Sequence, residues 1–243
     1  MKKICSIFIL TFFAVSVMVS SGQSQDAKVI LEKTIEAQGG REALKSIKDT
    51  TSKGSMEMIQ MGLNATMMMY QKEPDKIRMD MEAMGMVITQ AFDGQTAWMI
   101  NPQSGIAEEM PEQFKEEFKR SSIGNGALLD PEKYGISYNF KGKEKIEDID
   151  YFVLEQGFSD GHKASLYINP ETFLLYKTST TTINQMGIEV ESETFSSDYK
   201  KVDGVMIPFT IRIFQEGEEF MTLTIEEIHF NTGLEDSLFK MSE

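Results

Sequence analysis

From Asp49 to the end of the chain, apolar residues recur every second position instead of every third or fourth. This period of two limits the fold more than any other feature. The runs that carry it are 52–60, 65–72, 76–83, 86–92 and 96–101, and then 137–143, 151–157, 163–169, 174–183, 188–200, 205–215 and 219–230. Turn residues separate them: Gly62-Leu63-Asn64, Glu73-Pro74-Asp75, Gly85, Asp93-Gly94, Asn101-Pro102, Ser159-Asp160-Gly161, Asn169-Pro170, Asp203-Gly204 and Glu216-Gly217. A parallel crossover needs about a dozen residues or more, so these links allow only antiparallel hairpins. The expectation is a mainly β fold of the α+β class, with about a dozen strands in a single curved antiparallel sheet. A sheet that wide has to curl or close.

Two stretches break the period. Ahead of the strands, Ile30, Leu31 and Ile35 recur at helical spacing behind Asp26, a good N-cap, and Gly39-Gly40 ends the run; 42–47 reads as one more short helical piece. In mid-chain, 111–121 reads as an amphipathic helix with Pro111 at its first position and Phe114 and Phe118 on one face. Gly124-Asn125-Gly126 breaks that helix, and Leu128 and Leu129 follow in an apolar loop or second short helix. An N-terminal helix and this insert are expected to cover the open side of the sheet.

The extreme N-terminus belongs to neither pattern. Lys2 and Lys3 precede an uncharged apolar run from Ile4 to Val19, and Ser20-Ser21-Gly22-Gln23-Ser24 follows. This is the layout of a secretory signal peptide spanning 1–24, with small residues at Gly22 and Ser24 to direct cleavage before Gln25. The run falls short of the ~20 residues of a spanning helix. Cys5 is the only cysteine, so the remainder, 25–243, has none and is expected to fold as one domain held by its core. It keeps 22 bases against 38 acids with no basic block, which excludes nucleic acid as a partner.

Twelve of the 18 methionines fall between Met56 and Met110. Alternation puts Ile77, Met79 and Met81 on one face, opposite Arg78, Asp80 and Glu82. Met56 with Met58, Met86 with Ile88, and Trp98 with Ile100 form further same-face pairs. The expectation is a wide apolar inner face built from these nine residues. For any single Met, core filling is the simpler explanation. Collectively, methionine specifies shape poorly and adapts to varied apolar ligands, which suits a cavity for acyl chains. Paired thioethers at Met56/Met58, Met79/Met81 and Met84/Met86 also suit Cu(I), but no His or Cys stands in that segment, and no metal or cofactor is expected.

Catalytic patterns are missing: there is no G-x-S-x-G, no H-E-x-x-H and no P-loop. His162 and His229 read as surface residues and the paired acids as solvated faces. A binding protein is therefore expected, not an enzyme.

Asp93-Gly94-Gln95-Thr96-Ala97-Trp98-Met99-Ile100-Asn101-Pro102, preceded by Lys72-Glu73-Pro74, resembles the periplasmic outer-membrane lipoprotein carrier (LolA-like) superfamily. There a Lys-x-Pro link and an Asp-Gly-x-x-x-Trp-x-x-Asn-Pro hairpin recur. Gly39-Gly40, Leu44, Ile47 and Asp236-Ser237-Leu238-Phe239 are similar as well. The resemblance implies an incomplete β-barrel of about eleven strands with lid helices over a lipid cavity. It puts Ile77 and Met79 in that cavity and 111–134 in the lid, with Phe114, Phe118, Leu128 and Leu129 as its apolar contacts. It also implies a periplasmic carrier that takes the acyl chains of lipoproteins or other lipids from an inner-membrane transporter to an outer-membrane acceptor. Where the carriers have an Arg that bonds to the lid, this chain has Glu73. Sensors of mislocalised lipoproteins share the fold but usually add a C-terminal domain, so a sheet running almost to Glu243 favours the carrier.

Overall fold

The computed structural model describes residues 19–184 and 186–241. Thirteen strands follow one another as β1 (Asp49–Met58), β2 (Leu63–Lys72), β3 (Lys76–Ala83), β4 (Met86–Phe92), β5 (Ala97–Ile100), β6 (Ala107–Glu109), β7 (Ser137–Ile146), β8 (Ile149–Gly157), β9 (Lys163–Ile168), β10 (Leu175–Ile183), β11 (Glu189–Val202), β12 (Val205–Gln215) and β13 (Glu218–Phe230). They form one open sheet in the order β6-β5-β4-β3-β2-β1-β13-β12-β11-β10-β9-β8-β7, and every pair is antiparallel. Each neighbour but one is a hairpin; the exception is β1 beside β13, which joins the two halves of the chain. The twelve runs legible in the sequence are all present. The thirteenth strand, β6, is three residues long, too short to show a period.

Four α-helices accompany the sheet: α1 (Val19–Ala37), α2 (Arg41–Ser46), α3 (Glu112–Ser122) and α4 (Gly126–Leu129). Most of the expected leader, 1–18, lies outside the described residues. Where the sequence places an N-cap at Asp26, the helix already begins at Val19. Asp26 is interior to it, because residues 20–25 already have helical backbone. Pro111 caps α3 with extended backbone, φ −54° and ψ 141°, instead of opening its first turn. Among the described residues no helix is long and apolar enough to cross a membrane.

The sheet is strongly curved. Helix α3 packs against β4 and β5 on one side and β10 on the other. In the sheet order β4 and β10 are seven strands apart. Laid flat, that is about 34 Å at the usual strand spacing. An 11-residue helix spans only about 17 Å. The sheet therefore wraps round α3, which defines an inner face, and both edges stay unpaired by the other.

Inner-face packing falls into zones. Ala27, Ile30 and Leu31 of α1 pack with Ile136, Tyr138, Leu154 and Ile168 at the β7–β9 end. Ile35, Leu44, Ile47 and Val205 close the next zone. Gly39 lies against the backbone at Gly204 with φ +125°, so a Cβ there would strike the Gly204 carbonyl. The outer face is apolar too. Tyr151 stacks on Tyr176 at 4.5 Å, Tyr176 meets Phe195 at 5.6 Å and Phe195 meets Phe214 at 5.3 Å. Asp49 takes up the amides of Thr232, Gly233 and Leu234, which brings the C-terminal segment back to β1.

Candidate functional site

Strand register decides which residues share the inner face. Met56 pairs with Ala65 and with Leu223; Met58 pairs with Met221. Met67 faces Met81 and Met69 faces Met79 across β2–β3. Met81 pairs with Ile88, and Met79 with Gln90. The result is a continuous methionine floor. Met56, Met67 and Ala65 are buried at its base, with Met58, Met79, Met81, Met221 and Leu223 half-buried around them. Ile77 adjoins it in a second cluster with Phe92, Ala97 and Met110.

Of the nine residues expected on this face, Met56, Met58, Ile77, Met79, Met81 and Ile88 are brought together. Met86 shares their side of the sheet but sits at a hairpin tip, 57% exposed. Trp98 and Ile100 do not belong: they lie on the outer face. The Asp93–Thr96 turn pairs Phe92 with Ala97 and Ala91 with Trp98, so Ala97 and Met99 point inward. Trp98 is 2% exposed and donates its indole N–H to the Phe239 carbonyl at 2.7 Å, under the 3-10 turn Asp236–Phe239. It is a structural anchor for the C-terminal segment.

The sequence missed half of the floor. Ala65, Met67, Met69, Met221 and Leu223 belong to it. In Met67-Met68-Met69 every position is apolar, so alternation carries no signal; register puts Met68 opposite Asp80, on the outer face.

Helix α3 crosses the inner face beside this floor, packing on β4, β5 and β10, and meets the floor's edge where Met69 joins the Ile77 cluster. Phe118, one of the expected lid residues, packs on the Ile77, Phe92, Ala97 and Met110 cluster. Phe114 is half-buried but joins none of the apolar clusters, so the two do not act as a matched pair. Leu128 and Leu129, on α4, pack against the zone of Ile35, Leu44 and Val205. Polar ties fix the lid at several points. The Ile183 N–H donates to Glu117 Oε2 at 3.1 Å, and Gln71 Nε2 donates to the Ser122 carbonyl at 3.4 Å. Arg120 pairs with Asp160 of the β8–β9 turn. Asn125 Nδ2 donates to the Leu44 carbonyl at 3.3 Å, and the Asn125 N–H donates to Glu73 Oε1 at 2.7 Å.

Glu73 therefore does bond to the lid, with the opposite charge to the Arg of the carriers. Its burial pushes the carboxyl above its ordinary value, opposed by the Asn125 amide and the Lys48 charge. Gly124 passes so close to this carboxylate that a Cβ there would collide with it. His162, expected on the surface, is half-buried, with Nε2 2.9 Å from Thr180 Oγ1; burial holds its pKa below the ordinary value. His229 is exposed.

Open clefts of about 200, 430 and 490 Å³ ring the insert. The floor methionines line none of these three.

A curled antiparallel sheet with a helical insert laid across its inner face is an architecture with relatives among solved structures. A putative outer membrane lipoprotein-sorting protein domain from Vibrio parahaemolyticus matches with a TM-score of 0.62 at 16% identity, over 89% of this chain and 97% of that one. The fold is LolA-like. A LolA superfamily protein from Nitrosomonas europaea gives 0.60 at 17% identity, over 88% and 97%. A DUF1329 family protein from Desulfovibrio piger gives 0.61 at 15% identity, over 88% and 97%. No protein-family model matches the sequence, and no curated protein matches it.

Proposed function

We propose that this chain is a periplasmic carrier that binds the acyl chains of a lipid or lipoprotein on the methionine floor, beside α3, and delivers them toward the outer membrane. The observation that carries this reading is the methionine floor itself. Seven methionines from β1, β2, β3 and β13 share one face. Beside them lies a helix held to the inner face through the Phe118 contact and a few polar ties. Methionine side chains rearrange at low cost, so a floor of them adapts to chains of different length and branching. Displacing this helix would free the Ile77, Phe92, Ala97 and Met110 cluster that Phe118 covers for acyl-chain contacts. A lipid-sensing module with the same fold is the alternative.

The same reading takes 1–24 as a cleaved leader and 25–243 as the working domain, acting by binding, without catalytic residues, metal or cofactor. An inner-membrane transporter as donor and an outer-membrane acceptor complete the scheme. Displacement of a fluorescent fatty acid from the purified mature chain tests the binding step, and N-terminal sequencing of secreted protein tests the leader. A chain that neither binds the probe nor begins near Gln25 would not be such a carrier.

A further inference from the structure

The inner face changes character along the sheet. Across β1–β4 it is methionine; across β10 and β11 it is hydroxyl. Thr178 pairs with Leu166 and Thr194, Thr194 with Ile213, Ile213 with Met221, and Met221 with Met58. By alternation Thr178, Thr180, Thr182, Ser192, Thr194 and Ser196 therefore stand on the same face as the methionine floor.

A threonine-rich strand face ordinarily meets water. Here the polarity is reversed. The outer side of these strands carries the aromatic row of Tyr151, Tyr176, Phe195 and Phe214. On the inner side Ser192 is 4% exposed, and its neighbours Ala164 and Val190 are each 7% exposed. Covered hydroxyls need partners. Thr180 has them: it donates to the Lys163 carbonyl at 2.8 Å and lies beside His162 Nε2. Thr182 Oγ1 has none. Ser52 Oγ has none either, though Ser52 is 1% exposed and sits on the inner face of β1 between Ile228 and Met69. These two are the unpartnered buried side-chain polar atoms among the described residues, one on each half of the same face. Thr182 also precedes Ile183, whose N–H is held by Glu117 of α3, so this end of the hydroxyl band lies under the lid.

Resting on the carrier reading above, we propose that the cargo is an acyl lipid whose ester, amide or hydroxyl groups lie against the β10–β11 hydroxyl band and Ser52, while its chains lie on the methionines. A carbonyl oxygen accepts from Ser or Thr, and a ligand hydroxyl does both. A bare hydrocarbon leaves Ser52 and Thr182 unpaired.

Dye displacement with 1-monolauroylglycerol and with 1-dodecene, both delivered from cyclodextrin, tests this on the mature chain. The wild type should prefer the monoacylglycerol, although dodecene is the more apolar ligand. Thr178→Val with Thr194→Val keeps the β-branched shape and should weaken monoacylglycerol binding roughly 25-fold, at about fivefold per lost hydrogen bond. Dodecene binding should be unchanged. Thr178→Ser with Thr194→Ser should retain the preference. Thr182→Val should raise the melting temperature of the empty protein, because an unpaired buried hydroxyl is lost. Binding of both ligands with no preference in the wild type, or a preference untouched by the valine pair, overturns the band proposal and leaves the carrier reading standing. If neither ligand displaces the dye, the carrier reading fails and takes this one with it.

Discussion

Glu73 and Asn125, 52 residues apart in the chain, are joined by a 2.7 Å hydrogen bond from the Asn125 amide to the Glu73 carboxylate, and this bond ties the β2–β3 turn to the lid. The bond is made at a cost, because burial raises the Glu73 pKa. An acid whose folded pKa lies above its unfolded value stabilises the fold most below the ordinary value of 4.5, and that contribution is lost as pH rises through the folded value. Glu73→Gln keeps an oxygen to accept the Asn125 amide and removes the charge. It should raise the melting temperature at pH 7 and flatten the melting profile from about pH 4 upward. Glu73→Ala leaves the amide unpaired and should cost about 1–3 kcal/mol, seen as faster exchange of the amides in 123–134. A Gln variant less stable than wild type at pH 7 would contradict this account of the latch.

Met79 stands between Met69 and Gln90 on the floor. Met79→Asp puts a carboxylate against the acyl chains, at a cost of several kcal/mol once water is excluded, and should abolish displacement of a fluorescent fatty acid. Met79→Leu nearly conserves volume and should change affinity less than threefold. Equal binding by wild type and Met79→Asp would put the lipid elsewhere.

Trp98 is the only tryptophan and lies on the outer face, so its emission reports on the C-terminal anchor and not on the floor. Lipid addition should leave its emission maximum unchanged. Trp98→Phe should cost about 1–3 kcal/mol in a denaturant melt, because the buried Phe239 carbonyl loses its donor, while lipid affinity stays as in wild type. A lipid-dependent shift of the Trp98 emission would mean that the outer face responds to cargo.

The lid should be the least stable described part of the inner face, held as it is by Phe118 and a few polar contacts. Amides of 112–122 should exchange faster than those of β3 and β4, and added lipid should change their protection while leaving β7 and β8 alone. Phe118→Ala should weaken closure by about 1–3 kcal/mol and raise dye binding by the empty protein. Phe114→Ala should do less, since Phe114 is outside the cluster.

Most of this architecture is legible in the sequence because the hairpin links are short and the alternation in strands such as Lys76–Ala83 is clean. Legibility fails where local pattern and register part company. Trp98 and Ile100 alternate correctly with each other, but nothing in the residues of one strand says which side of the sheet they occupy; that is set by how the Asp93–Thr96 turn joins Phe92 to Ala97. The Met67-Met68-Met69 run hides its parity because all three side chains are apolar. Threonines at 178, 180 and 182 and hydroxyls at 192, 194 and 196 alternate plainly in the sequence, yet such a pattern ordinarily marks a solvated face. Only the covered neighbours Ala164 and Val190 reverse that meaning. The Glu73–Asn125 bond joins two loops far apart in sequence, so no window of residues contains it.

The central claim is that the methionine floor carries lipid. Native mass spectrometry of residues 25–243, purified from native cells without detergent and sprayed beside Met79→Asp, tests it most directly. The account predicts added mass of one acyl lipid on a fraction of the wild type, released by mild activation and fragmenting to fatty-acyl ions, and a bare chain for the variant. A wild-type chain that is bare under the same conditions, and stays bare after incubation with a lipid extract, would contradict it.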